Sequence, residues 1–192
     1  MIESPASPRL GCDLPDGLLA VRAAEGDEDS FAVLVRRHSR SLLALARYLL
    51  GNAQDAEEAV QDAFVSAWRR LPEYRHGAEF RTWMYRITVN RCLTMMRRRR
   101  PPPISLDIVV EPAAGDAWSQ PARSAEQDAA TVALACALAE LDARQRVCWI
   151  LREVQGLPYK EIAHVTQTSE QTVRGRLFRA RRSLQEAMSP WR

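Results

Sequence analysis

The sequence predicts an all-α chain of two small helical domains joined by a flexible acidic linker, and three observations predict it. Apolar residues recur at three- and four-residue steps along most of the chain, the period of a helix with one buried face. Residues 101–126 break that period with proline, alanine, serine and acids, a composition that reads as a linker. Near the C-terminus, Leu157, Ile162, Ala163, Val165, Val173 and Leu177 fall at spacings that suit two short helices and a tight turn.

Residues 1–13 hold Pro5, Pro8 and Gly11 without periodicity and read as a flexible tail. A short helix is expected from Asp13 to Ala24, with Leu14, Leu18 and Val21 on its inner face, before Gly26 and Asp27. Phe31, Leu34, Val35, Leu42, Leu45, Ala46 and Leu49 define the next helix, which Gly51 ends as a C-cap. Asn52 caps a third that runs to about Leu71, burying Ala56, Ala59, Val60, Ala63, Phe64, Ala67 and Trp68, and Pro72 stops it. A fourth helix is expected from Phe80 to Arg100, with Phe80, Trp83, Met84, Ile87 and Met95 inward, closed by Pro101, Pro102 and Pro103.

After the linker, a helix from about Gln127 to Glu140 carries Val132, Leu134, Ala135 and Leu138 as its apolar set, continued at Leu141. Asp142 caps another whose stripe is Val147, Ile150, Leu151 and Val154, up to a stop at Gly156. Pro158 opens the first helix of the C-terminal pair, where its missing amide proton costs little, and Ser169 caps the second. Ala163 sits where the two helices must approach closely. The domains are therefore 14–100 and 127–192, since an aperiodic loop as long as 101–126 is uncommon inside one compact domain.

At 46% hydrophobic and 27% charged, the 192 residues have the composition of an ordinary globular protein, with a formal charge of only +3. The distribution is more telling than the total. Ten arginines against two glutamates lie between Arg69 and Arg100, and six against two between Thr168 and Arg192. Residues 104–130 hold five acids against Arg123 alone. Two phosphate-seeking blocks thus flank an acidic connector. The cysteines, Cys12, Cys92, Cys136 and Cys148, and the histidines are scattered, so neither a metal site nor a cofactor is expected, and the thiols read as reduced. No apolar run is long enough to span a membrane and the N-terminus lacks a signal-peptide pattern, which places the protein in the cytoplasm.

Three groups of residues carry chemistry. On the last helix, Arg174 can bind guanine through two hydrogen bonds and Gln171 can pair with adenine. Gly175 and Phe178 share that groove-facing side, while Thr172 and Arg179 are placed to hold phosphates. In the fourth helix and the loop before it, Tyr74, Phe80, Trp83 and Tyr85 interleave with Arg75, Arg81 and Arg86, the arrangement of rings and cations that holds unpaired bases. Phe80 and Trp83 also read as core, leaving Tyr74 and Tyr85 freer for another task. The third helix turns Asp55, Glu57, Glu58, Gln61 and Asp62 outward, a one-signed face suited to a basic protein partner.

Together these residues resemble an extracytoplasmic-function (ECF, group 4) sigma factor of the sigma-70 family, the dissociable specificity subunit of bacterial RNA polymerase. Residues 55–70, DAEEAVQDAFVSAWRR, are similar to the family's core-binding helix in region two. Phe80, Thr82, Trp83, Tyr85, Arg86, Ile87 and Asn90 resemble its promoter-melting segment. Gln145 to Arg181 resembles region four, through Gly156, Leu157, Tyr159, Glu161, Ile162, Ala163 and the run Thr172 to Arg181.

The resemblance implies that Asp55, Glu58, Gln61 and Asp62 dock on the clamp helices of core RNA polymerase. It implies that Tyr74, Arg75, Phe80, Trp83, Tyr85 and Asn90 open the minus-10 element and hold a flipped base. Gln171, Thr172, Arg174, Gly175, Phe178 and Arg179 would read minus-35 promoter DNA. An anti-sigma factor is a further implied partner, and no catalysis resides in the chain. Thr94 stands where the family often has an acid, Gly175 where serine is frequent and Gln171 where glycine is frequent, so the promoter sequence does not carry over. The alternative is a stand-alone helix-turn-helix regulator with a helical sensor or dimerisation domain, which leaves the aromatic-basic helix unexplained. A small helical enzyme finds no phosphate loop, metal cluster or nucleophile in its favour.

Overall fold

Local cap chemistry sets most of the helix boundaries in the computed structural model, which describes residues 14–74, 79–98 and 125–189. Helix α1 spans Asp16–Ala24 and α2 spans Glu28–Leu50. Asp27 caps α2, accepting from the backbone amide and the hydroxyl of Ser30 at 3.1 and 2.7 Å, and those bonds hold its carboxyl below the usual range. Gly51 ends α2 with φ of 67°, where a side chain would be strained.

The expected face of α1 is corrected. Leu19, Ala20 and Ala23 turn inward, while Leu18 and Val21 are exposed, although Leu14 does pack against the core. The helix is rotated because a polar anchor fixes it: Asp16 bonds the Arg37 guanidinium at 2.6 Å and the His38 ring at 2.7 Å, both on α2. Arg37 also donates to the Leu14 carbonyl at 2.8 Å.

Helix α3, Ala53–Arg70, starts where the Asn52 side chain accepts from the Asp55 amide at 3.1 Å. Ala56, Ala59, Ala63 and Ala67 are all buried on it, and a line of methyl groups at helical spacing lets α3 lie close against its neighbours. A single 3-10 turn at Leu71–Glu73, with Pro72 inside, redirects the chain. Helix α4, Phe80–Arg98, buries Phe80, Thr82, Met84, Tyr85, Ile87, Thr88, Val89, Cys92 and Met95. These residues fall on nearly every side of it, so α4 is the central helix of the first bundle. Its predicted continuation to Arg100 and the proline stop lie outside the described residues, as do the tail 1–13 and most of the linker.

The second bundle holds α5 (Ala125–Glu140), α6 (Ala143–Trp149), α7 (Tyr159–Thr166) and α8 (Glu170–Ala187). Helix α5 starts two residues earlier than expected and buries Ala137 and Leu138, leaving Val132 exposed. Asp142 caps α6 by accepting from the amides of Arg144 and Gln145 at 2.9 and 3.3 Å. Past Trp149 that helix widens into one π-helical turn, Ile150–Val154, which the even apolar stripe did not announce.

Buried apolar residues of the two bundles form one continuous cluster, including Leu42 and Met84 from the first and Ile150 and Ile162 from the second. Helix α4 lies against α7, and α2 against the π turn. Arg146 fastens the same seam. Its guanidinium donates to the Leu49 carbonyl at the end of α2 (3.0 Å), to the Leu141 carbonyl (3.2 Å) and to the Ala139 carbonyl near the end of α5.

Candidate nucleic-acid interface

Helices α7 and α8 make the helix-turn-helix. Ser169 accepts from the Thr172 amide at 3.2 Å to start α8, and Val173 and Leu177 are buried beneath it. Ala163 is buried as expected. Between the helices Gln167 takes a left-handed conformation at φ 51°, a position a glycine would fill with less strain and that composition did not flag.

The outer side of α8 presents Gln171, Thr172, Arg174, Phe178 and Arg179 to solvent. Phe178 is 68% exposed, a large cost for an aromatic ring that serves no core. At Gly175 an added side-chain carbon would meet only the flexible Arg179 guanidinium, at 3.7 Å, so the space of a serine is open. Two guanidiniums approach the ring of Tyr159, Arg152 at 5.0 Å and Arg174 at 5.8 Å from its centroid. Behind them Arg181 pairs with Glu153 at 2.8 Å, the hydrogen bond that raises its pKa.

The first-bundle site is an aromatic cluster. Tyr74 stands 5.1 Å from Trp83 and 5.9 Å, edge on, from Phe80, whose centroid is 5.7 Å from Trp83. Phe80 is buried while Tyr74 and Trp83 are half-buried, so the cluster shows part of its surface. Asn90 is exposed two turns further along α4. Arg75 falls outside the described residues.

Tyr85 requires correction: expected to be free for a ligand, it is 1% exposed. Its hydroxyl donates to the Gln155 side-chain oxygen at 2.7 Å, and burial pushes its pKa up. One turn away Thr82, equally buried, donates to the Glu161 carboxylate at 2.8 Å. Helix α7 covers this side of α4 and Gln155, just past the π turn, reaches Tyr85, contacts that no local pattern encodes.

On α3, Glu58, Gln61 and Asp62 are exposed and Asp55 is half-buried at the helix start. The face is less purely acidic than its sequence, because Arg91 of α4 reaches Glu58 at 3.1 Å and Asp62 at 2.5 Å. Beside it runs an apolar groove lined by Phe31, Val35, Leu43, Val60, Phe64 and Trp68, with Val65 exposed at its edge. Most of these had read as plain core, since periodicity gives the inward face but not whether a neighbour closes over it. Among the described residues, no helix is long and apolar enough to cross a membrane.

Sigma-70 region 2 matches residues 34–101 and Sigma-70, region 4, matches 131–184. The RNA polymerase sigma-H factor of Pseudomonas aeruginosa is 34% identical over 184 residues, covering 91% of this chain and 94% of its own. The ECF RNA polymerase sigma-E factor of Escherichia coli is 32% identical, covering 92% and 96%. Among solved structures, CnrH in complex with the cytosolic domain of CnrY superposes with a TM-score of 0.70 at 30% identity, over 91% of this chain and 97% of that one. The region 2 match accounts for the aromatic-basic helix that the stand-alone regulator left unexplained, so that alternative is set aside. Both matched regions stand in family order and the relatives are spanned almost end to end, so the chain belongs to the sigma-70 family of RNA polymerase sigma factors, transcription initiation factors that carry no catalysis of their own.

Proposed function

We propose that this sigma factor is of the ECF, group 4, type, acting in the cytoplasm with residues 14–100 as region two, 127–192 as region four, 1–13 as a tail and 101–126 as linker. Its kinship with a protein named an ECF sigma-E factor along 92% of the chain supports that narrower class. In this reading Asp55, Glu58, Gln61 and Asp62 bind core polymerase. Tyr74, Arg75, Phe80, Trp83, Tyr85 and Asn90 open and hold the minus-10 strand. Gln171, Thr172, Arg174, Gly175, Phe178 and Arg179 read the minus-35 element, with Tyr159 beside Arg174.

One observation carries the assignment of roles: Phe178 and Arg174 stand exposed on α8, in the same molecule as a half-open ring cluster on α4 flanked by arginines. The first reads a groove and the second stacks on unpaired bases, so promoter recognition and opening are divided between the bundles. An anti-sigma factor is the proposed regulator, since CnrH, 30% identical, is solved with the domain of a second protein. The test is run-off transcription from a fragmented genomic library with purified core polymerase, preceded by gel filtration of the mixture. Co-elution and discrete start sites are expected. A chain that never co-elutes with core would overturn the assignment.

A further inference from the structure

Five arginines lie on α8 between residues 174 and 182, and they are not equally occupied. Arg181 is paired with Glu153 at 2.8 Å and Arg182 with Glu186 at 3.0 Å. Among the described residues no acid pairs with Arg174 or Arg179, so both keep their donors for an outside acceptor. The two differ in what lies beneath them. The Arg179 guanidinium lies beside Gly175, which offers it no side chain. Arg174 has a ring under it, with its guanidinium carbon 5.8 Å from the centroid of Tyr159.

Tyr159 is a fixed support. It is the first residue of α7, half-buried and packed against the main core cluster. A second cation, Arg152, stands 5.0 Å from the ring centroid and is tied to the turn before α7 by donating to the Leu157 carbonyl at 2.9 Å. An arginine carries many rotamers, and ordering one at an interface costs about two- to tenfold in affinity. It distinguishes guanine only when its plane is presented so that two donors meet O6 and N7 together. A ring attracts the guanidinium as a cation and accepts none of its N–H groups in the plane. The contact therefore narrows the rotamers of Arg174 without consuming the donors that a base needs.

We propose that Tyr159 is a positioning residue for minus-35 recognition: from α7 it holds Arg174 of α8 in the pose that meets a guanine edge, so base discrimination depends on a residue that itself reads no base. The inference rests on the assignment of Arg174 to base reading and adds a determinant of its specificity. Arg179, which has no such support among the described residues, suits a phosphate, toward which a charge need not be held at one angle.

The experiment assembles the full-length chain with core polymerase and binds it to a promoter fragment recovered by run-off transcription, with the base pairs of its upstream element randomised. Sequencing the bound and unbound pools gives the preference at each position. The position read by Arg174 is the one at which R174A abolishes a guanine preference. There Y159L is expected to lower the preference about fivefold, leaving the other positions and the salt dependence of binding unchanged, since no charge is removed. Y159F keeps the ring and stays near wild type. In the R174A background Y159L has no further effect on base preference, because the group it positions is gone. If Y159L does not fold, Y159M is read in the same way.

A Y159L chain with undiminished preference overturns the positioning role and leaves Arg174 standing as the reader. A Y159F chain as impaired as Y159L also overturns it, since that marks the hydroxyl as a phosphate contact, and so does an equal loss at every position, which marks a purely structural role. If the wild-type complex shows no base preference in the randomised element, or R174A changes none, the assignment of Arg174 to base reading fails and the positioning role fails with it.

Discussion

Phe178 and Cys92 mark the two extremes available to a side chain here. Phe178 sits on α8 with 68% of its surface in water, so its removal leaves no cavity. F178A is expected to keep the wild-type melting temperature and to lower affinity for a minus-35 duplex by roughly tenfold, within the range of a base-edge contact. Binding titrations beside thermal unfolding separate the two effects.

Cys92 is fully buried on α4, and desolvation pushes its thiol up to about 12. The folded state holds that proton more tightly than the unfolded state does. The stabilisation is therefore complete below the ordinary thiol range near ~8.5, and it is lost as pH rises from there toward 12. Cys92 is accordingly expected to resist iodoacetamide at pH 8 in the native protein and to react once denaturant is added, as peptide mass mapping would record. At this scale the core positions of α8 were legible in the sequence, because Val173 and Leu177 follow a clean helical period. Tyr85 was not, because an aromatic residue among arginines has the same pattern whether it meets a ligand or a neighbouring helix.

Helix boundaries were legible at most of the side-chain caps, the exception being Asp27, which reads in the sequence only as the break after α1 although it caps α2. Asp142 and Ser169 accept the first amides of their helices, Asn52 does so for α3, and Gly51 supplies the left-handed turn. The rotation of α1 was not, since it answers to the distant partners Arg37 and His38, and neither was the π turn after α6. Arg146 shows how elements are joined here: one buried guanidinium closes carbonyls at the ends of α2 and α5, and its burial lowers its pKa. R146A removes those charge-assisted bonds and leaves the carbonyls unpaired, so it is expected to cost about 2–3 kcal/mol. R182A, at an exposed pair one turn apart on α8, is expected to cost well under about 1 kcal/mol. Denaturant melts of both variants measure the difference.

For the molecule as a whole, charge is unevenly placed, with arginines along α8 and acids on the outer side of α3. The arginine-rich α8 suits DNA, and the acidic outer side of α3 suits a basic protein, with Arg91 of α4 moderating Glu58 and Asp62 rather than cancelling them. E58K/D62K is expected to weaken the complex with core polymerase about tenfold at low salt, with a smaller deficit at high salt because the pairs are exposed and screened. Competition binding against core at two ionic strengths reads this directly. The sequence by itself determined the helices, their caps, the helix-turn-helix, the aromatic-basic segment and the order of two regions, because periodicity and capping act within a few residues. Only the tertiary structure decided which side of α4 is open. Thr82 meets Glu161 across 79 residues and Tyr85 meets Gln155 across 70, and contacts between groups so far apart depend on how the two bundles dock.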